Sequence, residues 1–225
     1  MNNRHLILLS KMNKPGTSEI KLYAQQKFKT VTTYEGKIGD TLPSMNLEST
    51  DIIISYLSPW IIPEFYLKKV AFAINFHPGP PEYPGSGCFN FALANGARQY
   101  GITCHHMSKK VDSGRIIKVI RFPICEDESV YSLTLKSYSN MQALCMEIID
   151  LLVEEKTLPD SNERWNPKPT TRNDLENLCK IDFQLTKEYA KIINATTYPG
   201  MPGAYFTING NIYTIKRDRE REQKQ

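Results

Sequence analysis

Residues 70–117, VAFAINFHPGPPEYPGSGCFNFALANGARQYGITCHHMSKKVDSGRII, decide how the chain is read. The stretch opens on a short apolar run, 70–74, of the kind that forms a buried parallel strand. The run ends in Asn75-Phe76-His77. Side chains alternate along a strand, so Asn75 and His77 share one face and Phe76 takes the other. Two polar groups on one face at the carboxyl end of a buried strand are costly as packing, because each needs a partner. They fit the floor of a site, since open α/β sheets bind ligands beyond the carboxyl ends of their strands. Pro78-Gly79-Pro80-Pro81 stops the strand, and 83–87 (YPGSG) follows as a stiff loop able to approach a ligand closely. Residues 101–107 read as another strand, 111–114 (VDSG) as a turn carrying one acid, and 116–120 as a further strand.

Outward from this core, 5–9 reads as a first buried strand, followed by a loop over 10–18. Thr17 or Ser18 is expected to cap a helix whose stripe holds Ile20, Tyr23, Ala24 and Lys27. No G-x-G-x-x-G follows the first strand, so a dinucleotide fingerprint is absent. Lys11 and Lys14 could meet a phosphate at that helix N-terminus, or the loop is simply a solvated connection. Residues 28–33 read as a second strand, 36–50 as a polar, irregular crossover, and 51–56 (DIIISY) as a clear strand. The order strand, loop, helix over 64–69 and strand favours parallel pairing with right-handed crossovers.

Beyond the core, Asp127 or Ser129 caps a long helix with Val130, Leu133, Tyr138, Met141, Leu144, Cys145, Ile148, Ile149 and Leu152 at helical spacing. A Pro/Asn-rich linker over 157–169 leads to two short helical segments, 171–178 and 186–194. Two alternating runs flank Asn209-Gly210-Asn211, the signature of a β-hairpin. The fold class expected is α/β: a Rossmann-like, mainly parallel sheet over 1–165, then a small helix-plus-hairpin appendage over 166–225. That appendage is too small to bury much alone, so it must pack on the main domain or on a second subunit.

The ordered set N-x-H, Pro/Gly-rich loop, G-I-T-x-H-x-M and V-D-S-G-x-I-I resembles the core of the 10-formyltetrahydrofolate-dependent formyltransferases. The wording HPGPPEYPGSGCFNFAL…YGITCHHM resembles the branch that formylates nucleotide-linked amino sugars. Methionyl-tRNA formyltransferases are similar to N-x-H-x-S-L-L-P at this point, and the chain lacks that Ser-Leu-Leu. No stretch of it reads as the larger β-barrel expected of those enzymes, and its first half looks abbreviated. The resemblance implies N10-formyltetrahydrofolate as co-substrate and a dTDP-linked amino-dideoxy sugar, of the 4-amino-4,6-dideoxyglucose type, as acceptor for surface polysaccharide such as O-antigen. It further implies a homodimer, and it places Asn75, His77 and Asp112 together as the catalytic set. Leu57, Trp60, Ile61 and Val111 would border the pterin. Trp60 and Ile61 serve equally well as ordinary core beneath a helix. Pro80, Pro81, Glu82 and Tyr83 would touch the sugar or its nucleotide.

Formyl transfer to an amine needs an oxyanion donor and a base. Imidazole titrates near working pH, which suits His77 as base. The Asn75 amide can stabilise the oxyanion, and Asp112 can orient His77, favour its charged form or organise a water. Either His105 or His106 is expected near the site as packing or a supporting partner. Adjacent strand residues face opposite ways, so this His pair is not expected to hold a metal, and no metal site is expected elsewhere. Ser86 and Ser113 lie outside any G-x-S-x-G elbow. Tyr198 and Tyr205 could stack on a base, or simply form a hydrophobic hairpin face.

Composition fits this reading. At 225 residues, 40% hydrophobic and 23% charged, the chain suits one sizeable core plus an appendage. No apolar run reaches a membrane span, and the apolar core of the first residues is too short for a signal peptide. Five scattered cysteines without a C-x-x-C suggest reduced thiols in a cytoplasmic protein. A net charge of +4, part of it in a mixed-sign tail over 216–221 expected to be frayed, suits an anionic substrate but is no nucleic-acid footprint. Two other readings stay open: a formyltetrahydrofolate hydrolase using the same residues with water as acceptor, and a non-catalytic folate or sugar-nucleotide binding protein.

Overall fold

Six strands pair into one sheet: β1 (Asn2–Lys11), β2 (Phe28–Gly36), β3 (Ile52–Tyr56), β4 (Phe72–His77), β5 (Gln99–His106) and β6 (Ile116–Pro123). The structure is a computed structural model and describes residues 2–183 and 188–215. The sheet order is β2-β1-β3-β4-β5-β6. The pairings from β2 through β4 are parallel, whereas β4–β5 and β5–β6 are antiparallel. The sheet is therefore mostly parallel, as expected, with an antiparallel edge. The strand read over 116–120 runs on to Pro123 as β6.

Alternation sorts each central strand into two faces. Leu6, Leu8, Ile52, Ile54, Tyr56, Ile74, Phe76, Ile102 and Cys104 face one side. There they meet α1 (Thr17–Lys27) and α4 (Val130–Val153). The expected stripe of α4 is this core: Leu133, Met141, Leu144, Cys145, Ile148 and Ile149 are fully buried. Ser129 caps α4, accepting from Ser132 N at 3.0 Å while Ser132 Oγ accepts from Ser129 N. Neither expected cap of α1 is found. Gly16 occupies the N-cap, Thr17 is the first helical residue, and its buried hydroxyl has no hydrogen-bond partner.

The opposite face carries a smaller cluster, Ile7, Leu9, Met45, Leu47, Ile53 and Ile62. Met45 and Leu47 show that the irregular crossover over 37–51 covers this face. After β3, Leu57 takes a left-handed backbone with φ 55°. That turn sends 58–62 across the carboxyl edge of the sheet before α2 (Glu64–Leu67). The loop after β4 leads into α3 (Cys88–Ala94), a helix that the sequence reading did not place.

The segment after α4 runs back over the sheet edge as a strap. Ser161 N donates to Ile116 O at 3.1 Å, Asn166 N to Pro81 O at 2.9 Å and Thr170 N to Pro84 O at 3.0 Å. Position 165 lies inside this strap. Then come α5 (Arg172–Cys179), capped by Thr171 with Asp174, α6 (Tyr189–Thr196) and the hairpin β7 (Tyr205–Ile208) and β8 (Asn211–Thr214). The hairpin turn has Asn209 at φ 49° and Gly210 at φ 79°, the left-handed pair that a tight two-residue turn requires. The appendage docks on the main body: Asn90 Nδ2 donates to Ala195 O at 2.7 Å and Asn194 Nδ2 to Glu128 O at 3.1 Å. Thr186, the expected start of the second short helix, and the tail over 216–221 lie outside the described residues.

Candidate active site

The register of three strands assembles the site. Ser55 of β3 pairs with Asn75 of β4, and Asn75 pairs with His105 of β5. All three side chains thus lie in one row, on the face away from α1 and α4. A register irregularity in β5 between Cys104 and His105, opposite β6, falls at the end of this row. His77 lies two residues beyond Asn75 on the same face. The turn after β5 brings in Asp112, whose left-handed backbone (φ 45°) lifts its carboxylate over the strand ends.

The result is a buried cluster. His77 Nδ1 lies 3.2 Å from Asp112 Oδ2, and His105 Nε2 lies 3.6 Å from Asp112 Oδ1. Gly85 N donates to Asp112 Oδ2 at 2.9 Å. Asn75 Nδ2 lies 3.0 Å from His105 Nε2, while His105 Nδ1 lies 2.9 Å from the His106 carbonyl. A carbonyl can only accept, so His105 carries its proton on Nδ1 and accepts from Asn75 on Nε2. One Asn75 N–H is thereby fixed on His105 and the other remains to be donated. His106 points elsewhere, with Nε2 3.3 Å from Arg115 Nη2.

The electrostatics follow from these contacts. Burial raises the Asp112 carboxyl, but the His77 charge and the Gly85 N–H outweigh it and hold the group at about 2. Burial lowers His77, against the attraction of Asp112. His77 Nε2 lies 3.0 Å from the Tyr83 carbonyl, so both ring nitrogens face acceptors. Only the imidazolium makes both bonds at once. A neutral ring must face one acceptor with a lone pair.

Beside the cluster is a cavity of about 200 Å³. Its walls are Trp60, Ile61, Ile62 and Met107, with Val111 at the rim, and its polar end is formed by Ser55, Asn75, His105 and Asp112. Trp60 fills both roles the sequence allowed: its ring packs against the Ile7/Leu9 cluster and also lines the cavity. Its Nε1–H donates to Asp40 O at 3.0 Å. Leu57 does not line the cavity and packs instead on the helix-side core. His77 also lies off the cavity wall, behind Asp112.

Pro80 and Pro81 are buried, and Tyr83 contributes its carbonyl to His77. Glu82 is exposed and pairs with Arg121 at 2.8 Å, which also binds Glu163 of the strap. None of the four lines the cavity. Tyr198 stands edge-on to Tyr131, with centroids 5.8 Å apart, and Tyr205 is half-buried. Trp165 escaped the sequence reading. A lone Trp in a proline-rich stretch gives no periodicity to read, yet it packs on both His77 and His105. Among the described residues, no group of three or more His, Cys, Asp or Glu is placed to hold a metal ion.

The sequence model of the formyl transferase family matches residues 7–149, and the chain belongs to that family. It is 33% identical over 184 residues to the methionyl-tRNA formyltransferase of Streptococcus uberis, covering 76% of this chain and 54% of that protein. The chain thus spans about half the length of the curated relatives it matches. Among solved structures, it is similar to a 4-N formyltransferase from Francisella tularensis, with TM-score 0.78, 21% identity, and 95% and 97% of the two chains covered. It is also similar to an N-formyltransferase from Helicobacter canadensis in complex with folinic acid and dTDP-3-aminofucose, with TM-score 0.72, 19% identity, and 92% and 85% covered. At these identities the structural likeness concerns the fold.

Proposed function

We propose that the chain transfers a formyl group from N10-formyltetrahydrofolate to the amino group of a nucleotide-linked amino-dideoxy sugar, with dTDP as the favoured nucleotide. The observation that carries this reading is the cavity: an apolar wall of Trp60, Ile61 and Met107 ending on Asn75, His105 and Asp112. Its volume is below the roughly 300–1,000 Å³ of pockets that enclose drug-sized ligands, so it suits one flat ring system with the remainder outside. The Helicobacter canadensis protein, solved with a dTDP-amino sugar, supports the acceptor class. A homodimer and a cytoplasmic location belong to the same reading. They are supported by the exposed Ile208, Ile212 and Tyr213 of the hairpin and by five free cysteines.

The co-substrate supplies the formyl carbon and takes back a proton as its N–C bond breaks. When the acceptor nitrogen bonds to that carbon, the carbonyl electrons move to oxygen. The Asn75 N–H not held by His105 donates there, a contribution of roughly 3 kcal/mol for one such donor. His77 lies behind Asp112 and off the cavity wall. The proton that the nitrogen sheds therefore reaches it through a water that the Asp112 carboxylate, which does line the cavity, would hold. The neutral ring with its proton on Nδ1 keeps the charge-assisted bond to Asp112 and turns a lone pair toward the Tyr83 carbonyl. Taking up a proton at Nε2 relieves that repulsion and completes both bonds, so the cluster makes His77 a base despite its burial.

The test is mass spectrometry of reactions containing N10-formyltetrahydrofolate and a panel of dTDP-, UDP- and GDP-linked amino sugars plus methionyl-tRNA. One formyl group gained by a dTDP-amino sugar, and lost with His77→Ala at unchanged folate affinity, is the expected result. Formylation of methionyl-tRNA alone would replace the acceptor. Formate released without any acceptor would replace the reaction with hydrolysis. Folate binding without turnover would leave a binding protein.

A further inference from the structure

The side chain of the strap that reaches into the cluster is Trp165. Its indole stands edge-on to both imidazoles, with ring centroids 5.6 Å from His77 and 5.0 Å from His105 at 70° and 85°. Its Nε1–H donates to Gly114 O at 2.7 Å. Gly114 closes the turn that carries Asp112. It is pinned from the other side as well, because any Cβ there would collide with the His106 carbonyl. One side chain therefore touches both rings that flank the carboxylate and anchors the turn that holds the carboxylate between them. Trp165 does not line the cavity, so its part is not contact with the reacting molecules.

We propose that Trp165 is a positioning residue that keeps the His77–Asp112–His105 cluster assembled and shielded from water, and thereby governs the protonation of His77. The effect on turnover rests on the formyl-transfer reading; the effect on His77 does not. Four neighbours face His77. Asp112 approaches from the turn, His105 from β5, the Tyr83 carbonyl from the loop, and Cys88 from the head of α3, lying with His77 against Gly79. Trp165 adds no charge to this set. Removing it admits water and loosens the turn. Water relieves the burial that presses His77 toward its neutral form, so the ring then takes its proton at higher pH.

Two measurements test this. The chain has two tryptophans, so Trp60→Phe leaves Trp165 as the single emitter. A protonated imidazole in edge contact quenches indole. Emission is therefore expected to fall in a single step as pH drops from 9 to 4.5, with at least half of the step lost on adding His77→Gln. Flat emission, or a step unchanged by His77→Gln, overturns the proposal. This titration needs no substrate, so a normal step with no formyl transfer on any acceptor defeats the proposed function and leaves Trp165's role intact.

In steady-state assays, Trp165→Ala is expected to lower kcat at least tenfold with both KM values within threefold. Its acid limb should move to higher pH by about one unit. Trp165→Phe, which keeps a ring over both imidazoles but loses the Gly114 bond, should fall between wild type and Trp165→Ala with its limb in place. Should Trp165→Ala fail to fold, the emission titration and Trp165→Phe decide. An alanine variant with kcat within twofold of wild type and an unmoved limb, or with only KM changed, refutes the proposal.

Discussion

Replacing Asp112 by Asn exchanges a charge for an amide at nearly constant shape, at a backbone φ of 45° that Asn tolerates well. The local hydrogen bonds dictate the outcome. The new amide oxygen is expected to accept from Gly85 N–H, as Asp112 Oδ2 does at 2.9 Å. That same oxygen lies 3.2 Å from His77 Nδ1 in the parent, so it also accepts from His77 Nδ1–H. The NH2 takes the place of Oδ1, 3.6 Å from the lone pair of His105 Nε2. The tautomer of His77 is kept, but the negative charge that supports its protonated form is lost. His77 is left a much weaker base. We expect Asp112→Asn to lower kcat by roughly 10²–10⁴-fold, the usual worth of a positioned base. Substrate binding should be little changed.

Stability should respond much less. The parent carboxyl titrates at about 2 rather than at 3.8. A depression of about two units corresponds to roughly 2–3 kcal/mol. Because the folded value lies below the unfolded one, that stability is present above about pH 4 and lost as pH falls toward 2. The variant lacks this dependence. Urea unfolding should show the parent ahead by up to roughly 2–3 kcal/mol at pH 7, the gap closing in acid. The buried His77 costs both proteins stability below its ordinary range, and costs the variant more, because the Asp112 charge no longer supports the imidazolium. Side-chain ¹⁵N shifts of a histidine-labelled sample report the tautomer directly, since the chain holds only four histidines. Turnover within tenfold of the parent, or a His77 ring that takes its second proton at the same pH in the variant as in the parent, would refute this reasoning.

Two further outcomes follow from packing. Gly114→Ala places a methyl against the His106 carbonyl, which is backbone and cannot step aside. The turn must shift, at a cost of about 1–3 kcal/mol for overpacking, carrying Asp112 away from His77. Urea unfolding checks the first effect, and loss of the His77 step in Trp165 emission checks the second. Leu144→Ala, at a fully buried position facing the sheet, should cost about 2–5 kcal/mol in urea unfolding. Because that face lies opposite the site, turnover of the folded fraction should not change.

What the sequence disclosed and what it withheld differ in their physics. Strand periodicity is local, so 51–56 and 70–77 could be read directly, and with them the sharing of a face by Asn75 and His77. Helix α4 could be read because its stripe repeats over 24 residues behind a serine cap. Pairing direction is not local. Nothing in 99–106 distinguishes a strand entering the sheet antiparallel from one entering parallel, and the antiparallel register is what sets His105 opposite Asn75. Asp112 reached the cluster on paper only through a family resemblance, because a turn residue's destination depends on where two strands pair.

The strap is the extreme case. Its prolines and asparagines read as a linker, since it has no periodic face. Yet Asn166 and Thr170 find acceptors on the loop at Pro81 and Pro84, about 85 residues earlier in the chain. Such a segment is held by scattered hydrogen bonds, the Arg121–Glu163 ion pair and an aromatic side chain rather than by a repeating pattern. Its position can be stated only once the surface it crosses exists. The cluster thus has two origins: a floor of Ser55, Asn75 and His105 set by strand register, and a roof of Trp165 set by backbone carbonyls on the loop and turn beneath it. The floor fixes which groups are present. The roof fixes how dry they are, and it is dryness, set against the Asp112 charge, that determines whether His77 can act as a base.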